Sequence, residues 1–79
     1  MKLTIYSLRG VEFEGNAMSF NVKTKSGEIT LLDHHRPLIT LLEEGAAKIG
    51  LLDQSVRNFE IKSGFLEMDD HDNLSILAD

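Results

Sequence analysis

The chain has 79 residues, of which 42% are hydrophobic, no cysteine, and a formal net charge of −5 at neutral pH. This length allows one domain, residues 1–79, and the lack of cysteine excludes disulfides and zinc–thiolate sites. The acidic balance lacks the positive footprint that phosphate groups require, which argues against nucleic acids and anionic membrane surfaces as partners.

The N-terminal part of the chain predicts three strands. Leu3–Tyr6 alternates between apolar and polar residues, so it reads as a strand and not as a signal peptide. Val11–Glu14 alternates again and is expected to end at Gly15. Met18–Lys23 alternates without a fault and is the clearest strand in the sequence. No apolar run approaches the roughly 18 residues that span a bilayer, so the default is a protein on the cytoplasmic side.

The stretch Gly27–Leu38 joins a strand to a rigid charged loop. Ile29 and Leu31 alternate with polar residues, and the polar residues 33–36 that follow are closed by Pro37, the only proline. Proline fixes its own φ and biases the preceding residue towards an extended conformation. Binding residues are concentrated on loops that a rigid scaffold holds in place, so we expect this charged loop between two strands to contact a partner.

The second half of the chain continues the pattern of short strands. The segment Ala46–Leu52 fits the period of a helix and of a strand, but the glycines at 45 and 50 argue against a helix. Strands that recur every eight to ten residues are typical of antiparallel sandwiches and barrels, so the sequence predicts an all-β fold. The remaining strands are expected at Leu38–Leu42, Val56–Lys62, Gly64–Met68 and Leu74–Leu77.

The alternation also predicts a hydrophobic core. Inward positions are those on the apolar side of each strand. They are Leu3, Ile5, Val11, Phe13, Met18, Phe20, Val22, Ile29, Leu31, Ile49, Phe59, Ile61, Leu66, Met68, Leu74 and Ile76.

No group of residues predicts chemistry. Adjacent residues on an extended chain point to opposite faces, so His34 and His35 are poorly placed to share a metal ion. The acidic run around His71 lacks the Asp-x-Asp-x-Asp-Gly pattern of a calcium loop, and a polar turn explains it better. The chain also lacks a Gly-x-Ser-x-Gly elbow and a glycine-rich phosphate loop. The sequence therefore predicts a non-catalytic protein without a metal or cofactor.

Six short blocks along the chain resemble a known family. Each block is weak alone, but their order and spacing from Leu3 to Asp79 resemble the N-terminal β-sandwich domain of the epsilon subunit of F-type ATP synthase, called delta in mitochondria. The resemblance implies two antiparallel sheets with about ten short strands. The blocks are Phe13-Glu14-Gly15, Gly27-Glu28-Ile29, His35-x-Pro37-Leu38-x-Thr40, Gly45, Gly64-Phe65-Leu66-Glu67 and Leu77-Ala78-Asp79.

The resemblance implies a mechanical function. Epsilon is a non-catalytic rotor subunit of the central stalk that links gamma to the c-ring, so that rotation is coupled to ATP synthesis. The resembling chain would lie on the cytoplasmic face of a bacterial inner membrane, attached through the complex, with no small-molecule ligand.

Partner contacts follow from the same resemblance as expectations. The residues expected to face the c-ring are Glu28, His34, His35 and Arg36. Gamma is expected to cover an apolar patch made of leucines outside the alternating core. These are Leu8, Leu42, Leu51 and Leu52.

The sequence departs from the family pattern in its loops. Asp33 stands where the family usually has proline, and Arg36 where it has alanine. The family's usual epsilon subunit continues into a two-helix hairpin linked to inhibition of ATP hydrolysis, and the sequence here stops at Asp79, so hairpin-type inhibition and ATP binding are not expected of it. The alternative is a free-standing β-sandwich module that binds protein or carbohydrate. That reading would need an aromatic-lined surface, whereas Tyr6 is the only tyrosine and tryptophan is absent.

Overall fold

A computed structural model describes all residues, 1–79, and contains eight strands and no helix. It therefore has no helix that could cross a membrane. The strands are β1 (Lys2–Ser7), β2 (Gly10–Thr24), β3 (Gly27–Leu32), β4 (Leu38–Leu42), β5 (Gly45–Leu51), β6 (Val56–Ile61), β7 (Gly64–Met68) and β8 (Asn73–Ala78).

The strands form two layers that share β2. The first half of β2 pairs with β1, and β1 continues through β8 and β7 to β4; we call these strands layer A. The second half of β2 pairs with β3 on one side and β5 on the other, and β5 pairs with β6; these strands are layer B. All pairs are antiparallel except β1 with β8, which is parallel. The predicted all-β sandwich is confirmed, and the ambiguous segment after Gly45 is a strand.

The predicted break at Gly15 is wrong. Gly15 lies inside the ladder and pairs with Leu3, so β2 runs uninterrupted for 15 residues. A glycine in a strand interior allows neighbouring groups to approach closely. At Gly15 the neighbour is the Phe13 ring, whose Cζ atom lies 3.5 Å from the position that a Cβ would take. The continuous strand carries the chain from layer A into layer B.

Two bulges decide which side chains of β2 are buried. The register shifts between Ala17 and Ser19, so Ala17 is fully buried while Met18 is 49% exposed. A second shift leaves Glu12 unpaired and turns Val11 outwards, 55% exposed. A bulge adds one residue and reverses the alternation beyond it. The prediction that Val11 and Met18 belong to the core is therefore wrong.

The core otherwise follows the alternation. Phe13, Ile29 and Phe59 are half-buried against it, and the other predicted positions are buried. The alternation missed two small residues and two apolar residues near strand ends. These additional buried residues are Met1, Ala17, Leu42 and Ala47.

Candidate partner surfaces

The outer face of layer A carries a row of apolar side chains, one from each strand. The strand registers place Val11 beside Tyr6, Tyr6 beside Leu77, Leu77 beside Phe65, and Phe65 beside Leu41. We call these five residues the apolar row. Their exposed fractions lie between 40% and 59%. At about 4.8 Å between strands the row is roughly 19 Å long, and a continuous exposed apolar surface of this kind is typical of a contact with another protein.

The apolar row continues beyond these five side chains. Ile39 lies two residues before Leu41 on β4 and is 71% exposed on the same face. At the other side, a shallow hollow of about 200 Å³ is lined by Leu8, Phe65 and Leu77 among other residues. Leu8 is almost fully exposed there. The apolar surface thus extends from β4 to the turn after β1.

The four leucines predicted for the gamma side do not form one patch. Leu8 adjoins the apolar row, whereas Leu52 is exposed in the turn after β5, in layer B. Leu51 is half-buried and packs against the core. Leu42 is only 2% exposed, which corrects its prediction as a surface residue. Leu41 and Leu42 are neighbours on one strand, so they point to opposite faces, and Leu41 is the outward one.

The residues predicted to face the c-ring lie along one edge of layer B. β3 pairs only with β2, so it is an edge strand. Glu28 is near its start, and the exposed residues His34, His35 and Arg36 follow its end. Five extended residue steps separate Glu28 from position 33, about 17 Å. They share an edge, which we call the β3 edge, without forming one cluster.

Two charges on the β3 edge have no partner within the chain. Glu28 and Arg36 take part in none of its ion pairs. The Nδ1 atom of His35 lies 2.8 Å from the carbonyl oxygen of Arg36, which orients that ring on the loop. A negative group at one end of the edge and a positive group at the other are therefore both free to meet charges on another molecule.

The loop after β3 is held by contacts from distant parts of the chain. The His34 backbone N–H donates to Oδ1 of Asp72 at 2.7 Å, and the Asp33 carboxylate contacts the N-terminal ammonium of Met1. That ammonium also donates to the carbonyl oxygen of Ala17 at 3.0 Å and lies 3.5 Å from Oδ2 of Asp72. We call this group, Met1 with Asp33, His34 and Asp72, the anchor. Sequence reasoning missed it because its members are up to 71 positions apart in the chain.

The turn between β7 and β8 uses its acidic residues to hold itself. Oδ1 of Asp69 accepts from the backbone N–H groups of His71 and Asn73 at 2.8 and 3.0 Å. Ligand atoms of Asp69, Asp70 and His71 lie within 4.8 Å of one another. The Asp69 carboxylate is nevertheless occupied by donors of the turn, as in the polar turn that the sequence predicts.

Three aspartate carboxyls have lowered pKa values. The hydrogen bond from the His34 backbone lowers the pKa of Asp72, and the Met1 ammonium adds to it. Hydrogen bonds from the Asn73 and His71 backbones lower the pKa of Asp69. Hydrogen bonds from the Ser55 side chain and backbone do the same for the pKa of Asp53.

These shifts predict that the chain loses stability in acid. A carboxyl whose folded-state pKa is below its unfolded value stabilises the fold above the unfolded value, about 3.9. That contribution is lost as the pH falls through the folded-state pKa. We expect the urea midpoint of unfolding to fall between pH 6 and pH 3, and to fall less in Asp69→Asn, which no longer titrates there. A wild-type midpoint that is equal at both pH values would contradict this expectation.

Comparison with protein families identifies relatives of the chain. The family model described as ATP synthase, Delta/Epsilon chain, beta-sandwich domain matches residues 1–79. The chain is 39% identical over 70 residues to the ATP synthase epsilon chain of Sulfurimonas denitrificans and 32% identical over 80 residues to that of Herminiimonas arsenicoxydans. These alignments cover 89% and 100% of this chain but 54% and 56% of the relatives. The chain thus spans about half the length of the curated relatives it matches.

Solved structures share the fold. A chain of the Euglena gracilis mitochondrial ATP synthase, solved as OSCP, F1 and c-ring, matches with a TM-score of 0.91 at 18% identity, over 96% of this chain and 48% of that chain. A chain of the Tetrahymena thermophila mitochondrial ATP synthase central stalk and c-ring matches with a TM-score of 0.83 at 13% identity, over 99% and 62% of the two chains. At these identities the likeness concerns the fold.

Proposed function

This chain belongs to the ATP synthase delta/epsilon chain family through its β-sandwich domain, and on that premise we propose that it is a non-catalytic rotor subunit. In this role it links gamma to the c-ring and supports the coupling of rotation to ATP synthesis. It is associated with the membrane through the complex, on the cytoplasmic face of a bacterial inner membrane.

The observation that carries the proposal is the presence of two chemically different contact surfaces on different layers. The apolar row lies on the outer face of layer A, and the charged β3 edge borders layer B. A subunit that links two partners needs two separate surfaces, because one surface cannot hold both at once. We assign gamma to the apolar row and the c-ring to the β3 edge.

The assignment of gamma rests on the size and continuity of the apolar row. A permanent interface within a complex is more apolar at its centre than the rest of a protein surface. Tyr6 and Phe65 supply the aromatic rings that are enriched at such centres, and Leu8 adds an exposed apolar rim. Phe65 is 41% exposed, unlike the fully buried Phe20, so its ring is available for contact.

The assignment of the c-ring rests on unpaired charge. Glu28 and Arg36 are exposed and have no ion-pair partner in the chain. His34 and His35 are exposed beside Arg36 and enlarge the polar surface. Charged rim contacts set orientation and association rate more than affinity. The opposite signs at the two ends of the β3 edge would favour one orientation of the subunit on the ring.

The proposed function is tested by reconstitution. The chain is mixed with a gamma–c-ring subcomplex of a bacterial ATP synthase that has been purified without epsilon. We expect stoichiometric copurification with the subcomplex and, separately, binding to isolated gamma. Failure to bind either partner at micromolar concentration would refute the proposal.

Reversing both charges on the β3 edge is expected to weaken docking to the c-ring. Each exposed charge contributes about 0–1 kcal/mol, so Glu28→Lys with Arg36→Glu should reduce affinity by up to roughly 30-fold, and the reduction should shrink with added salt as screening increases. Pull-down on the c-ring across a salt series measures it. Glu60→Lys, on the opposite edge strand β6, is the control and should bind as the wild type does. Equal binding of the double variant and the wild type at every salt concentration would show that the ring does not contact this edge.

A further inference from the structure

We propose that Asp72 is a positioning residue for c-ring docking: it fixes the loop of His34, His35 and Arg36 without being part of the docking surface. This inference rests on the proposed function, because it concerns the surface that we assign to the ring. It adds a residue from the turn between β7 and β8, which is remote from that surface in the sequence.

The contact between Asp72 and the loop is direct. Oδ1 of Asp72 accepts the His34 backbone N–H at 2.7 Å, and Oδ2 lies 3.9 Å from Nδ1 of the same residue. The Asp72 side chain is 24% exposed, whereas that of His34 is 84% exposed. Asp72 is thus the more buried of the two, and the histidine side chain remains on the outside where a partner can reach it.

His34 needs such a contact because of its backbone conformation. Its φ is +62°, in the left-handed region that residues other than glycine rarely adopt. Without an acceptor for its N–H, the loop would lose the hydrogen bond that favours this conformation. Conformations of this kind persist when the surrounding structure holds them, and they cluster at binding segments.

The backbone of Asp72 is hydrogen-bonded to layer A. Its carbonyl oxygen accepts the backbone N–H of Lys2 at 3.0 Å, at the start of the parallel β1–β8 pair. Asp72 has a φ of +61° and lies in the turn that Asp69 stabilises by accepting the Asn73 backbone N–H. The Asp72 side chain therefore ties the loop at the edge of layer B to the ladder of layer A, in addition to the contact of Asp33 with the Met1 ammonium.

Fixing the loop before docking favours binding. A loop that is already ordered loses less conformational freedom on association. The exposed charges of the loop contribute to the orientation of the subunit only if they project from a fixed backbone. Asp72 helps to fix that backbone through its hydrogen bond with the His34 N–H.

The test combines amide exchange with docking in the 79-residue chain. Asp72→Gly removes the carboxylate and suits the left-handed backbone, whereas Asp72→Asn keeps an acceptor oxygen and tolerates the same φ. The matched control is Asp70→Gly, which changes the same turn and the same charge, and whose carboxylate contacts only the exposed His71 ring. Exchange is followed at the His34 amide and at core amides of β2 and β7, and docking at the gamma–c-ring subcomplex.

For Asp72→Gly we expect at least tenfold faster exchange at His34, unchanged exchange in the core strands, and five- to tenfold weaker docking. Asp72→Asn should restore most of the docking, and Asp70→Gly should match the wild type in both measurements. Unchanged His34 exchange in Asp72→Gly would overturn the inference, as would faster exchange with wild-type docking. If exchange in the core strands also rises in Asp72→Gly, the Asp72→Asn variant decides the question. The inference is then overturned if Asp72→Asn docks no better than Asp72→Gly. Should the wild type itself fail to dock, the proposed function fails, while His34 exchange still reports whether Asp72 holds the loop.

Discussion

Replacing Gly64 by alanine is expected to prevent folding or to cost about 4 kcal/mol or more, a large part of the total stability of a domain this small. Gly64 has a φ of +144°, which side-chain-bearing residues rarely adopt. A Cβ at this position would overlap the carbonyl oxygen of Leu77 and lie 2.9 Å from the Cα of Ala78. Both atoms belong to the backbone of β8, which is paired with β7, so neither can move without breaking the ladder. Circular dichroism and urea unfolding measure the effect.

Alanine substitutions at two other glycines distinguish the effect of the steric clash at Gly64 from the effect of its backbone strain. Gly27 also has a left-handed φ, +119°, but a Cβ there would meet nothing within 4 Å, so Gly27→Ala should cost only the strain. Gly15→Ala places its Cβ 3.5 Å from the Phe13 ring, an ordinary contact, and should change stability by about 1 kcal/mol or less. A Gly64→Ala variant that unfolds at the wild-type urea midpoint would contradict the packing of β7 against β8 described above.

Placing two positive charges in the apolar row is expected to abolish binding to gamma. Phe65→Lys with Leu77→Lys puts two ammonium groups at the centre of the row, where burial without partners is costly. Truncation of one central hot-spot residue costs about 2 kcal/mol or more, and the two unpaired charges add to that cost, so a loss of at least roughly 100-fold in affinity is expected. Because the two side chains are 41% and 48% exposed in the free chain, the fold should survive. Calorimetric titration of gamma measures the affinity, and urea unfolding checks the fold.

The matched control for the apolar row lies in layer B. Leu52→Lys with Val56→Lys changes the same number of exposed apolar side chains, which are 63% and 60% exposed. We expect this pair to bind gamma as the wild type does. If the control loses binding while the variant of the apolar row keeps it, gamma contacts layer B and our assignment of the two surfaces is reversed.

The strands could be predicted because the apolar and polar residues of each one alternate, and the apolar positions are those that face the core. Phe20 and Val22, for example, lie on the apolar side of a regular pattern and are buried. Met18 lies on the same side of the same pattern and is exposed, because a bulge intervenes. A bulge is created by the pairing of β2 with β5, so it leaves no mark in the local sequence.

The surfaces were less predictable than the strands, for a related reason. The charged loop was visible as a polar stretch closed by Pro37, and its residues are exposed as expected. The apolar row was not visible, since Tyr6, Phe65 and Leu77 come from strands that meet only through their registers. The contacts of the anchor cannot be read from the sequence either, although Asp33 stands out there because the family usually has proline at this position. The structure gives that carboxylate a partner in the Met1 ammonium.

The passage of β2 through both layers has a mechanical consequence for a rotating part. Two sheets held together by apolar side chains alone resist separation but offer little resistance to sliding, because dispersion contacts are non-directional. In this chain the backbone of β2 crosses from one sheet to the other, and Thr24 near its end pairs with Leu42 of β4, back in layer A. A shear force applied between gamma and the ring would therefore load peptide bonds and ladder hydrogen bonds along a single strand. On the proposed function, β2 is the main-chain part of the connection that transmits torque, and the anchor adds side-chain contacts between the same two layers.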